Sequence, residues 1–151
     1  MKKEVDWQVA LTRSVLPAGR AWQRAAGSAF SQHGFSLSLA GPMLVIARLG
    51  DGVNQKAVAE QLGINTGALV RALDTLEEKA MLVRRAGQPD RRANTLHLTA
   101  AGRTMVAQLE TILADLRRTV LAGISREDGE AAVRVLAHLD AVSRSFAAME
   151  D

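Results

Sequence analysis

Two short segments with helical periodicity, joined through one glycine, are the feature of this sequence that most constrains its fold. The first, NQKAVAEQLGI, starts at Asn54, a residue type that caps helices, and ends at Gly63. The second starts at Asn65, which is again suited to capping, and extends to about Lys79. Its apolar stripe comprises Leu69, Leu73 and Leu76. Two short helices connected in this way predict a helix-turn-helix.

A β-hairpin with a basic tip is predicted directly after these two helices. The segments Met81–Arg85 and Thr95–Leu98 are short enough to be strands, and the intervening AGQPDRRAN is rich in turn formers and arginine. A loop held on two strands can direct arginine into a DNA minor groove, whose narrow A·T-rich stretches attract it. We interpret the carboxylate of Asp90, two residues before Arg92, as orienting that arginine.

Longer helices are predicted on both sides of this middle segment. The first spans residues 5–32, with Pro17 forcing a kink or a break, and the next ends at Leu49. After the hairpin, residues 100–121 form a helix, and Ser125 caps the last one. Aromatic residues are only 3% of a chain that is 48% hydrophobic, so the core is aliphatic, which suits packed helices better than sheets.

Positive charge is concentrated in the middle of the chain. The net charge is +3, and the segment Asn54–Arg103 contains eight basic and five acidic residues, which leaves the remainder neutral. A local basic patch of this kind is typical of a surface that binds phosphate, although the charge alone is also compatible with an ordinary charged face exposed to solvent.

Several function classes are excluded by residues that the sequence lacks. Without cysteine there is no disulfide, thiol nucleophile or cysteine-ligated zinc, and the three histidines show no ligand spacing. There is no glycine-rich phosphate loop, no G-x-S-x-G and no catalytic pairing of histidine with carboxylate, so we expect no enzyme, cofactor or metal. Because no apolar run reaches roughly 20 residues and no signal peptide is apparent, we expect a cytoplasmic protein without a membrane partner.

These elements together indicate that the second short helix enters the major groove of DNA. Small residues at its start permit close approach to the phosphate backbone, where the partial positive charge of a helix N-terminus is favourable. The candidate DNA contacts on the helix and hairpin are Asn65, Thr66, Gly67, Ala68, Val70, Arg71, Arg84, Asp90, Arg91 and Arg92. The structural alternatives are that Asn65 is only a cap and Arg71 only a solvated charge.

A family resemblance rests on the run NQKAVAEQLGINTGALVRALDTLEEKAMLVRR, followed by DRRANTLHLTAAG. Both resemble the helix-turn-helix and wing of the multiple-antibiotic-resistance regulator (MarR) family. The most specific pieces are the D-R-R wing tip, the L-x-L-T-x-x-G exit and the L-x-x-L-E-x-K helix end, and the order of the flanking helices also fits. The resemblance implies that Arg92 enters the minor groove, that Asp90 braces it, and that Arg71 belongs to the recognition helix.

The sequence departs from the family pattern at two places. Gly67 and Ala68 stand where the family usually has hydroxyl residues, which removes two expected backbone or base contacts and leaves the target sequence open. Ala80 stands where the family usually ends the helix with glycine. If the backbone at this position is left-handed, alanine lowers the stability of the fold by roughly 1 kcal/mol or more.

Apolar stripes at both ends of the chain indicate a dimer. They comprise Val5, Val9, Val15 and Leu16 at the front, and Val133, Leu136, Leu139, Val142 and Phe146 at the back. The resemblance implies that these helices interleave between two subunits, so that a twofold dimer binds double-stranded DNA at a palindromic site. The alternative is an intramolecular helix pair in a monomer.

The fold class is therefore mostly α (α+β), a winged helix-turn-helix with a two-stranded hairpin as its wing. We expect a single domain over residues 1–151, with the DNA-binding region at 36–99 and helical dimerisation regions at 1–33 and 100–151. The function indicated is transcriptional regulation, in the form of a homodimeric repressor of a palindromic operator. The alternative is a helical protein-interaction module without specific DNA binding, which does not require the basic hairpin.

The resemblance also implies a pocket for a small aromatic acid or another lipophilic compound, whose binding releases the DNA. Side chains that offer a cation or a flat apolar wall are Arg13, Arg20, Trp22, His33 and Arg48. Each has a structural alternative: His33 precedes Gly34 at a predicted helix end, and Trp22 suits a core or an interface.

Overall fold

Six helices and three strands form the described part of the computed structural model, residues 6–87 and 94–148. In chain order they are α1 (Trp7–Ser31), α2 (Leu37–Leu49), β1 (Val53–Asn54), α3 (Gln55–Leu62), α4 (Thr66–Glu78), β2 (Leu82–Ala86), β3 (Asn94–Leu98), α5 (Ala100–Val120) and α6 (Arg126–Ala147). This order confirms the predicted mostly helical fold with a hairpin between flanking helices. The chain divides into two compact units, Met1–Leu116 and Arg117–Asp151.

Side-chain caps and left-handed glycines define most helix ends. Asp6, Thr99 and Ser125 each accept a backbone N–H of the following helix at 3.0 Å. Gly34 follows α1 with φ +78°, and Gly123 follows α5 with φ +84°. Because caps of this kind depend on residues close in sequence, the boundaries of these helices lie within about two residues of the predicted ones.

Two prolines lie inside helices. α1 continues through Pro17 as one helix, so of the predicted kink or break the break does not occur. Ser36 precedes α2 but makes no side-chain cap; its hydroxyl lies 3.1 Å from that of Ser38. Pro42 falls in the second turn of α2, and its missing N–H leaves the Ser38 carbonyl without a helical donor.

The three strands form an antiparallel sheet in the order β1-β3-β2. The predicted wing hairpin is present, with Leu82 opposite Leu98. The sequence does not predict β1, which pairs Val53 with Leu96. Two residues are too few to show the alternating pattern that identifies a strand.

An aliphatic core holds the elements of the first unit together. Its largest fully buried side chains include Phe30, Met43, Ile46, Leu69, Leu73, Leu76, Leu82, Leu96 and Leu109. The predicted stripe of α4 is thus confirmed, since all three of its leucines are in this core. Each fully buried leucine contributes about 1.5–3 kcal/mol, which fixes the rotation of α4 about its axis and so determines which residues face solvent.

Candidate nucleic-acid interface

The helix-turn-helix is built as the sequence predicts. Asn54 Oδ1 accepts the Ala57 N–H at 2.8 Å and starts α3, whose Val58 and Ala59 are buried. Gly63 ends α3 in the left-handed conformation, with φ +64°. The chain then turns within two residues and enters α4. Two helices joined by a short turn, the second of which begins with an exposed turn, form the arrangement that presents a recognition helix.

The N-terminal turn of α4 lies at the surface. Asn65 Oδ1 accepts the Ala68 N–H at 2.8 Å, so its role as a cap is confirmed. Residues 65–68 are all exposed, and a Cβ added at Gly67 would lie 3.3 Å from Asn65 Oδ1. An anion at this turn would meet the positive end of the helix dipole.

Arg71 extends the same face by one turn. The preceding Leu69 is fully buried and Val70 is half-buried, so these two residues face the body of the protein more than solvent. Arg71 is exposed, and no carboxylate of residues 6–87 or 94–148 lies within 4.0 Å of its guanidinium. Its charge is therefore available to an anion outside the chain.

The end of α4 is joined to the start of α5 by the predicted L-T-x-x-G exit. Thr99 Oγ1 donates to the Ala80 carbonyl at 2.7 Å, and the Thr99 N–H donates to the Met81 carbonyl at 3.1 Å. Thr99 Oγ1 also accepts the Gly102 N–H at 3.0 Å. A Cβ on Gly102 would overlap the Met81 carbonyl oxygen, so only glycine allows this approach. The motif thus fixes the residues between α4 and β2 against α5.

Arg84, a predicted DNA contact, forms ion pairs inside the chain. Its Nη2 pairs with Asp74 Oδ1 and lies 3.3 Å from Glu77 Oε2, both on α4. Its backbone N–H donates to Glu77 Oε1 at 3.0 Å. The sequence alone does not reveal these ion pairs, because pairing of a strand residue with a helix depends on tertiary packing.

The wing tip itself lies outside the described residues. Asp90, Arg91 and Arg92 are in this segment, and their roles remain predictions. The adjoining strands pair Ala86 with Asn94, so the hairpin is formed up to both ends of the segment. Arg85, next to Arg84, is exposed.

The base of the wing is held on its other side by a second ion pair. Asp51 Oδ1 accepts the Leu98 N–H at 3.2 Å, and Arg103 donates to the Leu98 carbonyl at 2.8 Å. Arg103 Nη1 lies 3.5 Å from Asp51 Oδ2. Asp51 and Arg103 therefore satisfy both backbone groups of Leu98. The sequence alone does not reveal this pairing, because the two residues are far apart in the chain.

The structure does not bring the five predicted ligand residues together in one cavity. Arg13, Arg20, Trp22 and Arg48 are exposed, whereas His33 lines a cavity of about 360 Å³. The other residues lining that cavity are Phe35, Gln108, Leu109, Thr111, Ile112 and Asp115. His33 Nδ1 lies 3.0 Å from the Ala29 carbonyl oxygen. Within residues 6–87 and 94–148, no group of three or more His, Cys, Asp or Glu could hold a metal ion.

Both terminal helices leave apolar side chains exposed in the single chain. On α1, Trp7 is 69% and Leu16 60% exposed; on α6, Val133 is 66% and Phe146 67% exposed. Val9, Val15, Leu136 and Val142 are exposed as well, Leu139 is half-buried, and Val5 lies outside the described residues. No helix in the described parts of the chain has both the length and the apolar character needed to cross a membrane.

Comparison with known proteins gives consistent matches. A MarR-family model matches residues 43–93. The crystal structure of the transcriptional regulator PA3341 aligns with a TM-score of 0.80 at 29% identity, covering 89% of this chain and 98% of that one. The repressor CouR, bound to a 23-mer DNA duplex, aligns with a TM-score of 0.73 at 23% identity, covering 93% of this chain and 99% of that one. CouR from Rhodococcus jostii RHA1, bound to p-coumaroyl-CoA, gives 0.72 at 20% identity, with 92% and 95% covered. The likeness to CouR establishes a shared fold.

Proposed function

We infer that the chain is a MarR-family transcriptional regulator, and we propose that it acts as a homodimeric repressor of a palindromic operator. Regulators of this family are DNA-binding transcription factors and not enzymes. The observation that carries the proposal is the exposed first turn of α4 beside Arg71, which pairs with no carboxylate of the described residues. A buried leucine stripe on the other face of α4 holds both toward solvent. The DNA-bound relative CouR shares this fold.

In the proposed complex α4 lies in the major groove. Asn65 uses its side-chain oxygen as a cap, so only its amide nitrogen remains to reach a base or a phosphate. Thr66 supplies a hydroxyl, and Arg71 can pair with the two acceptors of a guanine. Gly67 and Ala68 add no polar group, so they allow close approach to the backbone but read no base by hydrogen bonding.

The wing supplies a second contact in this proposal. Arg92 enters the adjacent minor groove, Asp90 orients it, and Arg91 meets a phosphate. These assignments rest on the sequence pattern and the family resemblance. The paired strands that flank the segment provide a rigid base from which a short tip can reach the DNA.

Dimerisation follows from the exposed terminal helices. An apolar side chain that is about two-thirds exposed, such as Phe146, gains from burial against a second copy. A twofold dimer presents two recognition helices, and these fit half-sites about 34–36 Å apart on one face of the duplex. An operator with inverted symmetry is therefore part of the proposal.

The cavity beside His33 is the proposed ligand site. Its lining combines apolar side chains, which suit an aromatic ring, with His33, two neutral polar side chains and the Asp115 carboxylate. CouR, which shares the fold, binds an aromatic acyl-CoA. A ligand that binds better to a dimer with misspaced recognition helices lowers operator affinity. Titration of salicylate against the protein–DNA complex tests this part of the proposal.

Selection of duplexes from a random-sequence library, followed by fluorescence anisotropy, tests the main proposal. The selected duplex should contain an inverted repeat and bind about 10³-fold or more tightly than a mixed-sequence duplex of equal length. Arg71→Ala should cost about 1–3 kcal/mol on the selected duplex. Arg126→Ala, which removes an exposed arginine paired with Glu130 on α6, is the matched control and should leave binding unchanged.

The same experiment can reject the proposal. If selection enriches no common sequence and the wild-type protein binds all duplexes equally, specific DNA recognition is excluded. A dimer that binds DNA without sequence preference fits the alternative function, a helical protein-interaction module. Equal losses for Arg71→Ala and Arg126→Ala would show that only net charge matters.

A further inference from the structure

Arg84 and its neighbour Arg85 differ in solvent exposure and in the carboxylates that lie near them. Its side chain is 19% exposed and its guanidinium faces two carboxylates of α4. Its Nε is buried and has no hydrogen-bond partner within the described residues. Arg85 is exposed, and no carboxylate of the described chain lies within 4.0 Å of it. Of these two adjacent arginines, only Arg85 is placed to meet an external phosphate.

The partners of Arg84 lie on the proposed recognition helix. Asp74 follows Arg71 by three residues, about one helical turn, and its side chain is 54% exposed. A carboxylate so close to the DNA-facing charge repels phosphates unless it is compensated. Glu77, one turn further along, is the second partner. Arg84 pairs with both carboxylates, so its single positive charge offsets one of their two negative charges.

The same contacts join two structural elements. Arg84 stands opposite Leu96 in the β2–β3 ladder, and Leu96 is fully buried, so the strand cannot shift at this point without disturbing the core. The Arg84 N–H to Glu77 bond adds a main-chain link between β2 and α4. One residue therefore couples the position of the wing to that of the recognition helix.

We infer that Arg84 is a positioning residue, which holds the wing at a fixed angle to α4 and offsets part of the negative charge of Asp74 and Glu77, and that it does not itself bind DNA. The inference rests on the proposed function and replaces the sequence-based expectation that Arg84 is a DNA contact. Its physical basis is that a guanidinium already engaged by two carboxylates would have to lose both in order to reach a phosphate.

Three variants test this inference. Arg84→Met removes the charge while keeping the length of the side chain, and Arg85→Met is its matched control. The double variant Asp74→Asn/Glu77→Gln removes the partners and leaves Arg84 in place. For each, affinity for the selected duplex and for a mixed-sequence duplex is measured by anisotropy over a series of salt concentrations, and hydrogen exchange of β2 is measured in the free dimer.

A positioning role predicts a specific pattern of results. Arg84→Met should lower the ratio of specific to non-specific affinity about tenfold, as expected of residues that act through a neighbouring element. The slope of log affinity against log salt should stay at the wild-type value, whereas each lost phosphate contact reduces it by about 0.9. The double variant should also lower the ratio, although loss of two negative charges by itself strengthens binding to both duplexes alike. Both variants should accelerate hydrogen exchange in β2, and Arg85→Met should not.

Three other results overturn the inference. A reduced salt slope for Arg84→Met, with full specificity in the double variant, makes Arg84 a DNA contact. If the wild-type protein discriminates between the duplexes and Arg84→Met changes neither specificity nor hydrogen exchange, only the positioning role is removed. A wild-type protein that does not discriminate overturns the proposed function and this role in it.

Discussion

Ala80 holds a backbone conformation that favours glycine, and Ala80→Gly should stabilise the protein. Its φ is +55°, the only positive φ of a residue other than glycine in the described chain. The conformation is imposed by its neighbours, because the Ala80 N–H donates to the Glu77 carbonyl and the Met81 N–H to the Leu76 carbonyl, each at 2.9 Å. The side chain is exposed, so its removal costs little packing.

The expected gain in the free energy of unfolding follows from two opposing effects. The left-handed conformation costs an alanine roughly 1–2 kcal/mol, a cost that glycine does not have. Glycine in turn makes the unfolded chain more flexible, which lowers stability by about 0.4–1 kcal/mol. The net stabilisation is therefore about 0.5–1 kcal/mol, equivalent to a rise in Tm of about 1–4 °C for a chain of this length.

Urea denaturation at fixed protein concentration measures this change, since the stability of a dimer depends on concentration. Gly63→Ala is the matched control: its φ is +64°, and an added Cβ meets no atom within 4 Å. It should lose about 1 kcal/mol for the same reason that Ala80→Gly gains. If Gly63→Ala is destabilised but Ala80→Gly is not stabilised, the argument from backbone strain at position 80 is refuted.

Three further predictions concern the junction, the wing and the dimer. Gly102→Ala should destabilise by about 3 kcal/mol in urea denaturation, because its Cβ would overlap a backbone carbonyl; a loss below about 0.5 kcal/mol contradicts this. Arg92→Ala should weaken binding to the selected duplex by about 1–3 kcal/mol, and Arg91→Ala less. Asp90→Ala should also weaken specific binding in anisotropy, whereas simple electrostatics predicts tighter binding. Leu136→Asp should convert the dimer to monomer in sedimentation, since this side chain is 51% exposed in the single chain; an unchanged dimer places the interface elsewhere.

Elements fixed by local interactions could be predicted from the sequence. The caps at Asn54 and Asn65 accept N–H groups three residues further on, so both helix starts depend on residues adjacent in the chain. The leucine stripe of α4 identified its buried face because helical periodicity directly determines which side chains align. The left-handed cost at Ala80 was likewise foreseeable, since it depends on one residue at one helix end.

Features that depend on tertiary packing could not be predicted in this way. The pairing of Arg84 with Asp74 requires β2 to lie against α4, and the sequence marks both residues only as charges on separate elements. Pro17 shows the converse, because a local rule predicted a kink or a break and the long helix continues through this residue without a break. Packing can therefore create contacts that no local pattern contains, and it can override a local preference.

The ion pairs of Arg84 and Arg103 at the base of the wing bear on how this protein would select its DNA. Arg84 fixes β2 to α4, and Asp51 with Arg103 fixes both backbone groups of Leu98 on β3. The first turn of α4 has few groups that read bases, because its second and third residues, Gly67 and Ala68, lack polar side chains. Discrimination then depends more on where each arginine is held, and on the spacing of two half-sites, than on the number of base contacts. A small displacement of either strand should accordingly change the ratio of specific to non-specific affinity more than it changes affinity for mixed-sequence DNA, which the phosphate backbone dominates.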